Sequence, residues 1–341
     1  MTKKRKLPKS EQSGTTPATT PQMNSEVANL SLPEPAQFSM SVGNCRNCES
    51  SRVITIEKAA LVAPFFAARV FGIKGDAAAE LRLDAALCTD CLFLTHSARI
   101  PEDNIMKLYE GYRDALYNAE RIMYEPGYSL ISEAIGSTNE ISTRNEGLDA
   151  YIDRLVDSKV ICFDAVRHAL DWGGAKGGYA PRKVVESCEE VQIFDISHNS
   201  EKANHVTSKT SPGRKSKKAG KAKYDYIQFC HVLEHLQDPL IIVKEMADLY
   251  LNPSGYIYIE VPIEEAMEEF GPRLATTPDQ FYVVHEHINK YCLRSIRALV
   301  ESINCLTLLD LKEDTANVGW SFPGFNEDGK VRIIRCLCQK L

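Results

Sequence analysis

From about Ala165 to the end of the chain, short β-rich runs alternate with helical patterns, and this alternation constrains the fold more than any other feature. AVRHALDWGG reads as a strand running into a Gly-rich turn, APRKVVESC as a helix, EVQIFDIS and YDYIQFCHVLEH as strands. DPLIIVKEMADLYL then reads as a helix, GYIYIEVP as a strand and LRSIRALVESIN as a helix. LTLLDLKED and KVRIIRCLCQ close the chain as two strands with no helix between them. Strands separated by helices must run parallel, since each helix carries the chain back across a sheet face. The expectation is an α/β sheet covered on both faces, with an antiparallel hairpin at its edge.

The segment upstream is organised differently. Residues 1–40 are rich in Ser, Thr, Pro and Gln without apolar periodicity and read as a disordered tail. Residues 41–100 hold two Cys-x-x-Cys pairs, Cys45/Cys48 and Cys88/Cys91, and residues 101–163 are helical and Tyr-rich. Residues 164–341 form the α/β part, interrupted at 199–223 by a polar, Lys-rich insertion with room for a short edge strand near His205 and Val206.

Charge follows the same division. Residues 1–24 carry a net +4 and residues 201–223 a net +7, so the remainder carries −17 of the chain's −6. An acidic body repels a phosphate backbone, which leaves nucleic acid an unlikely partner outside the two basic segments. No run of about 18 uncharged apolar residues occurs and the start is polar and basic, so the expectation is a cytoplasmic chain without a membrane partner.

Eleven cysteines, an odd number with no export signal, do not suggest a disulfide scaffold. Two Cys-x-x-Cys turns suit a closed tetrahedral shell of four thiolates, which predicts structural Zn2+ on Cys45, Cys48, Cys88 and Cys91; a redox pair or unrelated cysteines are the alternatives. The other seven fall in apolar strands and helices and read as core.

The turn Asp171-Trp-Gly173-Gly174-Ala175-Lys-Gly177-Gly178 suits close approach of a ligand to the backbone, and Asp195 ends the next strand 22 residues after Gly173. That is the offset at which a carboxylate accepts both ribose hydroxyls of a nucleoside cofactor. Gly173-x-Ala175-x-x-Gly178 leaves a dinucleotide dehydrogenase open, but Asp171 disfavours a pyrophosphate and suits the ammonium and sulfonium of S-adenosylmethionine (SAM).

LDWGGAKGG, FDIS, YDYIQFCHVLEHLQDP and LNPSGYIYIEVP together resemble a class I SAM-dependent methyltransferase. The upstream CRNC and CTDC with a Tyr-rich helix are similar to the zinc-binding domain of sugar C-methyltransferases and related enzymes of polysaccharide clusters. The resemblance implies a Rossmann-like seven-stranded sheet and transfer to a small-molecule acceptor, with a nucleotide sugar or glycan precursor the leading class. It implies that Asp171, Gly173, Gly174 and Gly177 hold the methionine end, with Ala175 where the family has a glycine. Asp195 would hold the ribose, Ile196 would pack on adenine, and Cys230, His231 and Val232 would line the cofactor floor. The family's acidic residue for the adenine amine has no counterpart here.

Two His-Glu groups are candidates for chemistry. His231, Glu234 and His235 resemble a fold signature at a helix start, with catalysis as the alternative. Glu286 and His287, in HEH, resemble the segment that acts near the acceptor in sugar C-methyltransferases. The tyrosines of residues 109–128 read as core, with a lid carrying Tyr112 and Tyr117 as the alternative. Loss of catalysis, leaving a zinc-stabilised binding module, is a further reading. Oligomeric state is not encoded in any of these signals.

Overall fold

The computed structural model describes residues 43–174, 178–195, 206–208, 223–277, 279–321, 326 and 328–341, with the backbone alone for 206–208. The first 40 residues, Gly177, Ile196 and most of the Lys-rich insertion lie outside the described residues.

The N-terminal part supplies β1 (Val53–Val62), the short helices α1 (Pro64–Phe66) and α2 (Asp76–Ala79), then β2 (Arg82–Cys88) and β3 (Leu94–His96). Antiparallel pairing joins β1 to β2 and β2 to β3. Two helices follow, α3 (Glu102–Tyr109) and α4 (Ala115–Tyr124), separated where Gly111 and Arg113 take φ values of 65° and 60°. Left-handed backbone at two positions cannot continue a right-handed helix, so one helical pattern becomes two helices. Asp114 caps the second, its Oδ1 accepting from Tyr117 N at 2.8 Å.

The long helix α5 (Thr138–Asp157) starts at Ser137, whose Oγ accepts from Glu140 N at 3.2 Å. It ends before Lys159, with φ 58°, so it begins and stops earlier than the apolar periodicity of residues 146–163 suggests. Leu148, Tyr151, Ile152 and Leu155 are buried on one face, at the spacing of successive turns.

Beyond α5 the alternation is β4 (His168–Trp172), α6 (Arg182–Ser187), β5 (Glu190–Phe194), β6 (Val206–Ser208), β7 (Tyr224–Cys230), α7 (Pro239–Glu245), β8 (Leu251–Pro262), α8 (Met267–Thr276), β9 (Tyr282–Val284), α9 (Leu293–Glu301), β10 (Leu306–Asn317) and β11 (Lys330–Lys340). Seven of these strands make one sheet in the order β10-β11-β8-β7-β4-β5-β6. Strands β4 to β8 within it are parallel, and β11 runs antiparallel between β8 and β10. Ile227, Phe229, Ile257, Ile259 and Val261 fill its centre and are fully buried, as continuous apolar strands covered on both faces must be.

Strand β9 leaves this pattern. It pairs parallel with β1, Ala60 opposite Tyr282, and so completes the small sheet β3-β2-β1-β9. Among the described residues no helix is long and apolar enough to cross a membrane.

Candidate functional site

The parallel strands β4, β5, β7 and β8 end side by side at Trp172, Phe194, Cys230 and Pro262, the edge of an open α/β sheet where ligands bind. Asp171 sits there, 1% exposed, and neither carboxylate oxygen has a close hydrogen bond, only the weaker pull of the Gln228 side chain. Burial pushes its pKa up to about 7, and the neighbouring Asp195 charge adds to the rise. A buried carboxylate left without close donors costs free energy, which a cationic or donor ligand would recover.

Gly173 follows with φ 80°, and its N–H donates to Phe194 O at 2.6 Å. A Cβ there would come within 2.4 Å of Val232 Cγ2, and a Cβ on Gly174 within 2.1 Å of Asp171 Oδ2. Both glycines are therefore required by the packing of Asp171 and Val232. Asp195, half-buried, follows β5 directly. Its charge and those of Glu234 and Glu286 all act on Tyr109, whose hydroxyl burial pushes well above the usual range. Tyr109 also stacks edge-on against His235, with centroids 6.0 Å apart.

Cys230 ends β7 buried, and His231 after it takes φ 54°, an uncommon conformation for this residue. His231 Nε2 lies 3.1 Å from Glu260 Oε1 and its Nδ1 3.4 Å from Glu234 Oε1. Glu260 also receives Arg144 Nη2 at 3.2 Å and the Tyr258 hydroxyl at 2.6 Å, and Arg335 Nε stands 3.2 Å away. Burial would raise this carboxyl, but His231, Arg144 and Arg335 override it and hold it well below the ordinary range.

The loop after β9 carries His285, Glu286 and His287. Glu286 Oε1 accepts from Arg121 Nη1 at 2.6 Å and from the Tyr117 hydroxyl at 2.8 Å. Burial works upward on Glu286, and Arg121, Arg113 and the nearby imidazoles outweigh it and bring its pKa down to about 2. Tyr117 is fully buried, edge-on to Phe65 with centroids 5.0 Å apart, so its ring is core and only its hydroxyl serves the loop. His287 Nδ1 bonds the Glu264 carboxylate, which also holds Lys290 Nζ and faces His285 Nε2 at 3.6 Å.

In the small sheet, Cys45 Sγ lies 3.8 Å from Cys91 Sγ and Cys48 Sγ 3.8 Å from Cys88 Sγ. A tetrahedron with sulfur bonds of about 2.3 Å has edges of about 3.8 Å, so the four thiols already sit at ligand spacing for zinc. The four sulfur atoms lie within 4.8 Å of one another.

Residues 141–308 match the model of a family described as a methyltransferase domain. The chain carries a methyltransferase domain. Among solved structures the chain is similar to the plantazolicin methyltransferase BpumL in complex with SAH, at 14% identity, covering 70% of this chain and 95% of that one with a TM-score of 0.41. It is similar to the N-methyltransferase NodS of Bradyrhizobium japonicum in complex with S-adenosyl-L-homocysteine, at 15% identity, 55% and 87% coverage and a TM-score of 0.32. The YcgJ protein of Bacillus subtilis gives 14% identity, 56% and 98% coverage and 0.36. A comparison with curated protein sequences finds no match.

The site contains residues that the sequence signals do not single out. Glu264, Glu260, Arg121, Arg144 and Lys290 all meet the site through pairs far apart in the chain, such as Arg121 with Glu286. Only Glu264 has a local signal, as part of the acidic run that follows β8.

Proposed function

We propose that the methyltransferase domain uses SAM to methylate a small-molecule acceptor, with a sugar or polysaccharide precursor the leading class. The observation that carries this reading is the buried Asp171 carboxylate beside Gly173 and Gly174, with Asp195 one strand away. A dinucleotide finds no support here, since a buried carboxylate at the glycines opposes a pyrophosphate. SAM, when bound, supplies a methyl group on a positively charged sulfur. Asp171 accepts from the ammonium of its methionine end, the Gly173 and Gly174 backbone admits that end closely, and Asp195 accepts from the ribose hydroxyls. Cys230, His231 and Val232 form the floor. Gly177 and Ile196 keep their assigned roles toward the methionine end and adenine as part of the same reading.

Glu286 and His287 stand on the acceptor side. Glu286 ties the loop to α4 through Tyr117 and Arg121. His287, its Nδ1 proton committed to Glu264, offers the acceptor the lone pair of Nε2. Holding acceptor and methyl donor in line is the larger part of the catalysis. Cys45, Cys48, Cys88 and Cys91 bind one structural Zn2+, which cross-links the two Cys turns and leaves no open coordination position.

Isothermal titration tests the cofactor assignment. SAM and its demethylated product should bind saturably and NAD should not, with Asp171→Ala and Asp195→Ala losing binding. NAD binding alone would overturn the reading. Saturable SAM binding without methyl transfer to any nucleotide sugar or glycan extract would leave a binding module instead.

A further inference from the structure

Beside the proposed cofactor crevice, three side chains converge in a way the methyl-transfer reading does not use. Glu234 lies in the short turn Leu233–His235 after β7, 0% exposed, and its carboxylate has no close hydrogen bond, only the long approach of His231. His231 Nδ1 stands 3.4 Å from Oε1. An ionised carboxylate sealed from water in this way requires a cation or close donors.

Two imidazoles face it, and each has its other nitrogen committed. His235 Nδ1 lies 2.8 Å from the backbone carbonyl of Glu286. A carbonyl can only accept, so Nδ1 carries the proton and Nε2 keeps a free lone pair. His287 Nδ1 bonds the Glu264 carboxylate, itself held by Lys290, which leaves Nε2 as the nitrogen available to a ligand. His287 Nε2 is then 4.0 Å from Glu234 Oε1, and the two rings are 4.8 Å apart, centroid to centroid. One donor atom from each of Glu234, His235 and His287 lies within 4.8 Å of the others.

An acceptor behind the Nδ1 proton of each imidazole, with a ring nitrogen of each close to one carboxylate, is the outer shell that metal-bound histidines show. The backbone holds the two loops in that relation. Ile288 N and Asn289 N donate to Glu234 O at 2.8 and 3.0 Å, and Asn289 Nδ2 donates to Leu233 O and Leu236 O at 2.8 and 2.7 Å. Donor atoms bound at about 2.1 Å lie roughly 3.0–3.4 Å apart, so closing around an ion requires side-chain shifts of about 1 Å or less.

We infer that Glu234, His235 and His287 form a binding site for one divalent transition-metal ion, separate from the four-cysteine site. Two imidazoles and one carboxylate leave coordination positions open, as in non-haem iron sites, and this donor set suits Mn2+, Fe2+, Co2+ or Zn2+. For the acceptor, and here the inference rests on the methyl-transfer reading, the open positions call for an oxygen ligand. A hydroxyl bound to the ion would ionise more readily, its proton passing to water, and His287 Nε2 would then hold the metal instead of meeting the acceptor itself.

The test uses Mn2+ on the full chain after dialysis against a chelator too weak to strip thiolate-bound ions, with free Mn2+ followed by electron paramagnetic resonance. Wild type should bind one Mn2+ per chain outside the cysteine site. Glu264→Gln, acting through His287, should weaken binding about 10–100-fold, while Glu234→Gln and His235→Gln should each exceed that effect. His285→Gln should leave binding in place. Variants are scored only where their metal-free melting matches wild type, and either of the two ligand variants suffices. No Mn2+ or Co2+ binding, or wild-type affinity in both ligand variants, would overturn the site. Loss in His285→Gln with retention in His235→Gln would also overturn it, by moving the ion to the opposite face of Glu264. SAM titration of the metal-free protein separates the two readings: SAM binding without Mn2+ binding refutes the metal site alone, and the reverse refutes the cofactor assignment alone.

Discussion

Replacing Glu260 by glutamine removes one buried charge and keeps its shape. Two guanidinium groups depend on that charge: Arg335, 1% exposed with Nε 3.2 Å from Oε2, and Arg144, with Nη2 3.2 Å from Oε1. Removing one partner of a buried ion pair costs about 3–5 kcal/mol, because the other charge stays buried. Arg335 retains Asp314 at 3.5 Å and Arg144 retains Glu140 at 3.7 Å, which puts the expected loss near the lower bound, about 3 kcal/mol. At about 2–4 °C per kcal/mol for a large domain, Glu260→Gln should melt roughly 6–12 °C below wild type at pH 7. The pH dependence gives a second check. The folded carboxyl is held below its ordinary 4.5, so its stabilisation is fully present above that value and fades as the pH falls through the folded pKa. The gap between wild type and Glu260→Gln should therefore narrow below about pH 4.5. Calorimetry or circular dichroism from pH 7 downward measures both. A gap under about 1 °C at pH 7, or one that stays constant with pH, would refute the argument.

Other outcomes follow from the same geometry. Asp171 sits at about 7 without ligand; if it accepts from the SAM ammonium, SAM affinity should fall about tenfold per pH unit below 7 and level off above, and titrations of Asp171→Asn should show a flat profile. Gly173→Ala combines a φ of 80° with a 2.4 Å approach to Val232, so it should destabilise the chain by about 2–3 kcal/mol in denaturant unfolding and weaken SAM binding. Cys88→Ser should release about one zinc per chain on metal analysis while SAM affinity is retained; retention of the zinc would return the cysteines to a core or redox role. Changing Cys305, which is partly exposed and bonds Asp248 at 3.2 Å, should leave the zinc in place.

The large sheet was legible because its strands carry their own signal. Runs such as YDYIQFC and GYIYIEV are apolar on both faces, and helical periods separate them. The turn at Gly173 and Gly174 was legible for a related reason, since a sharp turn between strand and helix needs glycine within a few residues of the strand. The small sheet was not read as strands. Strands β3 and β9 have three residues each, too few to establish an alternation, and β9 comes from a distant part of the chain. Nor could sequence pair Arg121 with Glu286 or His287 with Glu264, because a charged residue carries no local sign of which distant charge it meets. The tyrosines of residues 109–128 were ambiguous between core and lid, and burial separates the ring of Tyr117 from its hydroxyl.

Strand β9 also sets a timetable for the growing chain. Its partner β1 is synthesised first, and 222 residues separate Ala60 from Tyr282, opposite it in the completed ladder. At about 5–20 residues per second, that interval is on the order of 10–40 s. Until then β1 has an open edge, the kind of surface that pairs with other chains. The Cys45 turn waits as well, because Asn47 Nδ2 donates to Ser295 O at 2.7 Å. Ribosome stalling between residues 100 and 280 should therefore leave nascent chains with an unfinished small sheet, more prone to associate with one another than chains released at full length.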